Sequence, residues 1–159
     1  QVRADIVGRL PAAAPNADNS NLDNKVSEAG RLAFARLNAV MTKDELWRRE
    51  GLTMAQLAHE VGVSERQLRR LINEKLGHRN FAGFVNTYRI EAAKIRLADT
   101  SYSGRTIAEI AFSLGYTSLG PFNRAFREAT GVTPSAWRKA ASSGEISRDH
   151  ASPEAAKAG

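Results

Sequence analysis

The chain has 159 residues, 42% of them hydrophobic and 25% charged, with a formal net charge of +6 and no cysteine. That composition suits a globular domain, and the lack of cysteine excludes a disulfide scaffold, thiolate metal sites and cysteine nucleophiles, and fits a reducing cytosol. No apolar run approaches the roughly 20 residues needed to span a bilayer, so no membrane contact is expected of this segment.

Residues 1–26 hold Pro11, Pro15 and a polar run from Asn16 to Asn24, and read as a flexible linker. From Ser27 the pattern is helical, with Leu32, Ala33, Leu37, Val40 and Met41 on one face. A short turn over Asp44–Arg49 points Trp47 inward. Thr53 then opens a helix with Gln56 at the reciprocal capping position, buries Leu57, Ala58 and Val61, and stops at Gly62. Ser64 and Gln67 form a second capping box, followed by an inner stripe of Leu68, Leu71, Ile72 and Leu76 up to Gly77.

Asn80 to Asp99 reads as one long helix of roughly 30 Å. It has two apolar stripes, Phe81, Phe84, Val85, Tyr88, Ala92, Ile95 and Ile90, Ala93, Leu97, as a connector buried on two sides should. After a polar loop, Thr106 and Glu109 repeat the capping box. Ile110, Ala111 and Leu114 face inward, Gly115 turns the chain and Ser118 caps the next helix, where Phe122 and Phe126 replace Leu68 and Ile72. This second turn is one residue longer, and Pro121 sits in the first turn of its helix. Thr133-Pro134 starts a last short helix anchored by Trp137, and 141–159 reads as a disordered tail.

The fold expected is therefore all-α, with about seven helices: a helix-turn-helix subdomain over 27–79, a linker helix over 80–99 and a second helix-turn-helix subdomain over 100–140. Positions 47–140 carry 15 Lys/Arg against 8 Asp/Glu, whereas the rest of the chain carries 8 against 9. The positive charge thus belongs to the duplicated pattern, as a phosphate-binding surface requires.

A helix-turn-helix places its second helix in the major groove of DNA. On the first such helix Arg66, Gln67, Arg69 and Arg70 are the candidate base readers, because the arginine fork bonds guanine O6 and N7 together. On the second, the candidates are Leu119 for a thymine methyl, Gly120 for close backbone approach, Asn123 for adenine, and Arg124. This helix is less polar, and is expected to position the protein more than to read sequence. Phosphate contacts are expected from helix N-termini at Ser64 and Ser118 and from Asn73, Arg79, Lys94, Arg96, Arg127, Arg138 and Lys139. Neutralising about six phosphates would give log affinity a slope near −5 against log salt.

Enzymatic readings find no support. His59, His78 and His150 lack metal-ligand spacing, Asp44 and Glu45 point to different faces, and no glycine-rich phosphate loop is present. No cofactor is expected. A protein-interaction module built on the same helices is the other alternative, although it has no need of base-facing arginines beside a capped turn.

At these residues the chain resembles the AraC/XylS family of bacterial transcription regulators, over about Arg31 to Lys139. The resemblance rests on Leu52-Thr53-Met54-Ala55-Gln56-Leu57-Ala58, Gly62-Val63-Ser64-Glu65-Arg66-Gln67-Leu68-Arg69-Arg70-Leu71, Tyr88-Arg89-Ile90-Glu91-Ala92-Ala93, Ile107-Ala108-Glu109-Ile110-Ala111, Gly115-Tyr116, Phe122-Asn123-Arg124-Ala125-Phe126-Arg127 and Gly131-Val132-Thr133-Pro134-Ser135-Ala136-Trp137-Arg138. It implies seven helices in two subdomains and sequence-specific binding to adjacent major-groove segments of double-stranded promoter DNA. It also implies an activator working through RNA polymerase in the bacterial cytoplasm, at the nucleoid. The Asp99–Arg105 loop is about three residues longer than in compact members, and Gly120-Pro121 stands where polar residues are common. Because the chain starts at Gln1 and shows no family sensor domain, a separate upstream sensory portion is expected, membrane-embedded in some regulators of this style.

Overall fold

The computed structural model describes residues 17–144. Its α-helices are α1 (Ala17–Thr42), α2 (Met54–Val61), α3 (Glu65–Arg70), α4 (Phe81–Ala98), α5 (Ile107–Ser113), α6 (Leu119–Thr130) and α7 (Pro134–Ser142). Short 3₁₀ turns lie at Leu46–Arg48 and Thr100–Tyr102, and no strand occurs among the described residues. The seven-helix, all-α architecture is the one expected. The linker expected over 1–16 and the tail expected beyond residue 144 lie outside the described residues.

Three capping boxes form as the spacing predicts. The Thr53 hydroxyl accepts from Gln56 N–H at 3.2 Å, Ser64 from Gln67 N–H at 3.1 Å and Thr106 from Glu109 N–H at 3.1 Å, and each partner side chain reaches back to the cap N–H. Each box satisfies two backbone donors that a helix start otherwise leaves orphaned. Asn80 caps α4 through Gly83 N–H at 2.8 Å, and Thr133 caps α7 through Ala136 N–H at 3.1 Å.

The fourth expected cap does not form: Ser118 precedes α6 but its hydroxyl makes no capping bond. The physical reason is in the sequence. The N–H that a cap hydroxyl accepts here belongs to the residue three positions on, and that residue is Pro121, which has none.

Four other expectations are corrected. Helix α1 starts at Ala17, not Ser27, since no proline or glycine between 17 and Gly30 interrupts it, and polar composition alone does not end a helix. Leu32 is 52% exposed, and only the later turns of α1, through Leu37 and Met41, enter the core. Ile95 lies 42% exposed, at the edge of its predicted stripe. Ala141 and Ser142 belong to α7 rather than to a tail.

Helix α3 runs directly into a π-helical stretch, Leu71–Lys75, where Leu76 N–H bonds the Leu71 carbonyl five residues back at 3.1 Å. Such turns are rare and often lie at functional sites.

One continuous core joins both halves. Leu57, Val61, Leu68 and Ile72 fill the first, and Ile110, Leu114, Phe122 and Phe126 fill the second. Phe84, Val85, Ile90, Ala93 and Leu97 of α4 belong to the same cluster. Each of the larger side chains among these contributes about 1.5–3 kcal/mol on burial. The two stripes of α4 explain the architecture: helix α4 packs against the Leu46–Arg48 turn on one side and against α5, α6 and α7 on the other.

Candidate nucleic-acid interface

Both helix-turn-helix units pivot on a glycine in the left-handed region. Gly62 has φ 79° and Gly115 has φ 97°, values that favour a residue without Cβ. At Gly115 the requirement is doubled, because a Cβ there would lie 2.8 Å from the Arg48 carbonyl oxygen and 2.8 Å from an Arg89 guanidinium nitrogen.

The turn and its capping box aim the first unit's second helix outward. Arg66, Gln67, Arg69 and Arg70 are all exposed, while Leu68 and Ile72 anchor the helix beneath them. Arg66 and Arg69 have no carboxylate within salt-bridge distance among the described residues. Arg70 makes one exposed pair with Glu74 at 3.5 Å, of the kind that contributes little. Gln67 differs, because its carboxamide oxygen already accepts the Ser64 N–H at 2.9 Å.

On α6, Asn123, Arg124 and Arg127 are exposed, and Leu119 is half-buried against the core. Gly120 leaves room for its neighbour: a Cβ there would sit 3.7 Å from Arg124 Nη1. Asn73, Arg79 and Lys139 are exposed as well.

Of the cations singled out for phosphate, Lys94 and Arg96 are engaged within the protein and Arg138 is half-buried. Lys94 pairs with Glu91 at 2.9 Å and lies 5.6 Å from the Trp137 ring centre, and its carbonyl accepts the Trp137 indole N–H at 3.2 Å. Arg96 donates to the Ser113 hydroxyl at 2.6 Å and stacks on Tyr102 at 5.7 Å. Its pKa is lowered by burial and by the nearby Arg48 charge. Arg138 is half-buried, with one long bond of 3.5 Å to the Tyr102 carbonyl. All three lie where α4 meets the second half, which a count of basic residues does not distinguish from an open face.

The sequence reading missed Arg89. Its Nε donates to the Trp47 carbonyl at 2.8 Å, its Nη2 to the Arg49 carbonyl at 3.1 Å, and its guanidinium lies 5.1 Å from the Tyr116 ring centre. Burial lowers its pKa, and burial pushes the Tyr116 phenol up to about 12. The Tyr116 hydroxyl donates to Asn86 at 2.7 Å. A signal was present: Arg89 falls midway between Val85 and Ala93 at four-residue steps, a charge set between the two apolar stripes.

Among the described residues no group of three His, Asp or Glu side chains is placed to hold a metal ion, and no helix is long and apolar enough to cross a membrane. His59 is exposed, and His78 packs edge-on to Phe84 at 5.3 Å.

A family model described as a helix-turn-helix domain matches residues 57–140. The chain belongs to the AraC-type helix-turn-helix family. This makes it a DNA-binding, transcription-regulating type of domain. It is 38% identical over 103 residues to an HTH-type transcriptional regulator of Staphylococcus aureus (strain MSSA476), covering 65% of this chain and 13% of that protein. It is 35% identical over 107 residues to the HTH-type transcriptional regulator GlxA of Rhizobium meliloti, covering 65% of this chain and 31% of that one. The chain therefore spans under a third of the length of either relative. Among solved structures, the C-terminal domain of AraT, a response regulator from Geobacillus stearothermophilus, superposes with TM-score 0.56 at 29% identity. That match covers 70% of this chain and 84% of the other. An AraC-type transcriptional regulator from Chromobacterium violaceum gives TM-score 0.51 at 27% identity, covering 77% and 96%.

Proposed function

We propose that this segment is the DNA-binding part of a transcription regulator, and that it reads two adjacent major-groove segments of promoter DNA. The observation that carries this is the exposed row Arg66, Arg69 and Arg70, set on a capped helix beside a glycine turn, with two of its three guanidinium groups lacking a carboxylate partner among the described residues. Those three residues, with Gln67, are the proposed base readers of the first unit. Leu119, Gly120, Asn123 and Arg124 are those of the second. Phosphates would be met by the N–H groups beyond Ser64 and Ser118 and by Asn73, Arg79, Arg127 and Lys139. Lys94, Arg96 and Arg138 make a smaller contribution in this proposal, because the first two are already engaged and the third is half-buried.

The finer role is that of an activator acting through RNA polymerase in the cytoplasm, under the control of a separate sensory portion. The much greater length of the relatives supports that last element.

Selection of genomic fragments by the purified chain, followed by anisotropy titration of a winning and a scrambled site at two salt concentrations, tests the proposal. A preference of about 10³ or more for the winning site is expected. Equal affinity for both sequences, or no binding at low salt, overturns it.

A further inference from the structure

We infer that Arg89 sets the base-pair spacing between the two DNA segments the protein accepts, by locking the two helix-turn-helix units at one relative angle. This rests on the two-site reading above. Arg89 stands on the connecting helix α4 and engages both halves with one side chain. On the first half, its fork bonds two carbonyls, Trp47 and Arg49, at the end of the 3₁₀ turn. On the second half, the same guanidinium lies over the ring of Tyr116, the residue after the turn glycine, 5.1 Å from its centre. Asn86, one helical turn earlier on α4, holds the Tyr116 hydroxyl, so the ring is fixed in position and angle.

Gly115 completes the arrangement. Its backbone lies so close to the Arg48 carbonyl that no side chain fits between them, and the turn of the second unit sits directly on the first. Arg89, Asn86, Gly115 and Tyr116 line one cleft between the halves, together with Leu52 and Pro121. A lysine is a poor replacement for this group. Its compact ammonium lacks the planar fork whose separate nitrogens reach two carbonyls while one face lies towards a ring.

The consequence for DNA is geometric. One added base pair turns the second site by about 34°, given 10–10.5 base pairs per helical turn. Two units fixed at one angle cannot follow that rotation without losing contacts.

The test uses the full chain and two readouts. In the first, the spacing between half-sites of the selected DNA is lengthened and shortened by one base pair. The parent protein should lose about tenfold in affinity, the cost of a poorly met base pair, whereas Arg89→Ala and Arg89→Lys should lose less than about threefold relative to their own best site. In the second, spin labels are placed at two exposed positions, Ala55→Cys and Ala129→Cys, in a chain that has no other cysteine. The inter-label distance should be narrow in the parent and broad in Arg89→Ala and Arg89→Lys. Arg89→Lys covers the case in which the alanine variant does not fold. An unchanged spacing profile and an unchanged distance distribution in a folded Arg89 variant overturn the proposal. If the parent prefers no sequence at all, the DNA reading itself fails, and the label distances still report whether Arg89 locks the halves.

Discussion

Ser118 stands before Pro121 as Ser64 stands before Gln67, yet only the second pair is joined by hydrogen bonds. The two reading helices therefore start differently: one is fastened by a reciprocal box, the other by packing of side chains such as Leu119 and Phe122. Ser64→Ala should cost about 1 kcal/mol of stability, the usual value for a lost cap. Ser118→Ala should change stability by less than about 0.5 kcal/mol. Urea unfolding of the two variants side by side checks the asymmetry, and equal losses would contradict it.

Arg69 carries the sharpest expectation on DNA. Arg69→Ala should cost about 1–3 kcal/mol on the selected site and relax the preference at one base pair. Competition binding against a panel of single-base variants reads this directly. Uniform weakening on every sequence would reassign Arg69 to a phosphate.

The two glycine turns also make unequal demands. Gly115→Ala meets both a positive φ and the Arg48 carbonyl, a backbone atom that cannot move aside, and should destabilise by about 2 kcal/mol or more. Gly131 has φ 80° but open space around its missing Cβ, so Gly131→Ala should cost only about 1 kcal/mol. Thermal unfolding of both variants ranks them, and a Gly131 variant weaker than the Gly115 variant would refute the close approach.

Glu109 links stability to acid. The Thr106 backbone N–H, then the Thr106 hydroxyl, hold its carboxyl below the usual 4.5. A group whose folded pKa is depressed contributes stability that is fully present above the unfolded value and lost as pH falls through the folded one. The Tm advantage of the parent over Glu109→Gln should therefore be constant from neutral pH to about pH 5.5, and shrink below pH 4.5. An advantage that persists in stronger acid would mean that the charge plays no part.

Much of this molecule was readable before its coordinates. The seven helices follow from apolar periodicity and from boxes such as Thr53 with Gln56, where chemistry and spacing are both local. What stayed hidden was long-range. Arg96 and Arg138 look like any surface cation until Ser113 and Tyr102 are brought beside them. Arg89 looks like a misplaced charge until the Trp47 and Arg49 carbonyls, some 40 residues away, meet it. The missing Ser118 cap was legible, since Pro121 has no N–H to offer the serine hydroxyl.

The π turn at Leu71–Lys75 has a practical consequence for protein engineering. A turn closed over five residues instead of four holds one extra residue, so the chain leaves the helix at Leu76 about 100° away from where an ordinary α-helix would release it. Arg66, Arg69 and Arg70 precede it and keep standard phase. A chimera that borrows this reading helix should therefore be joined at Arg70: a seam placed after Lys75 would import a twist that the host scaffold was not shaped to receive.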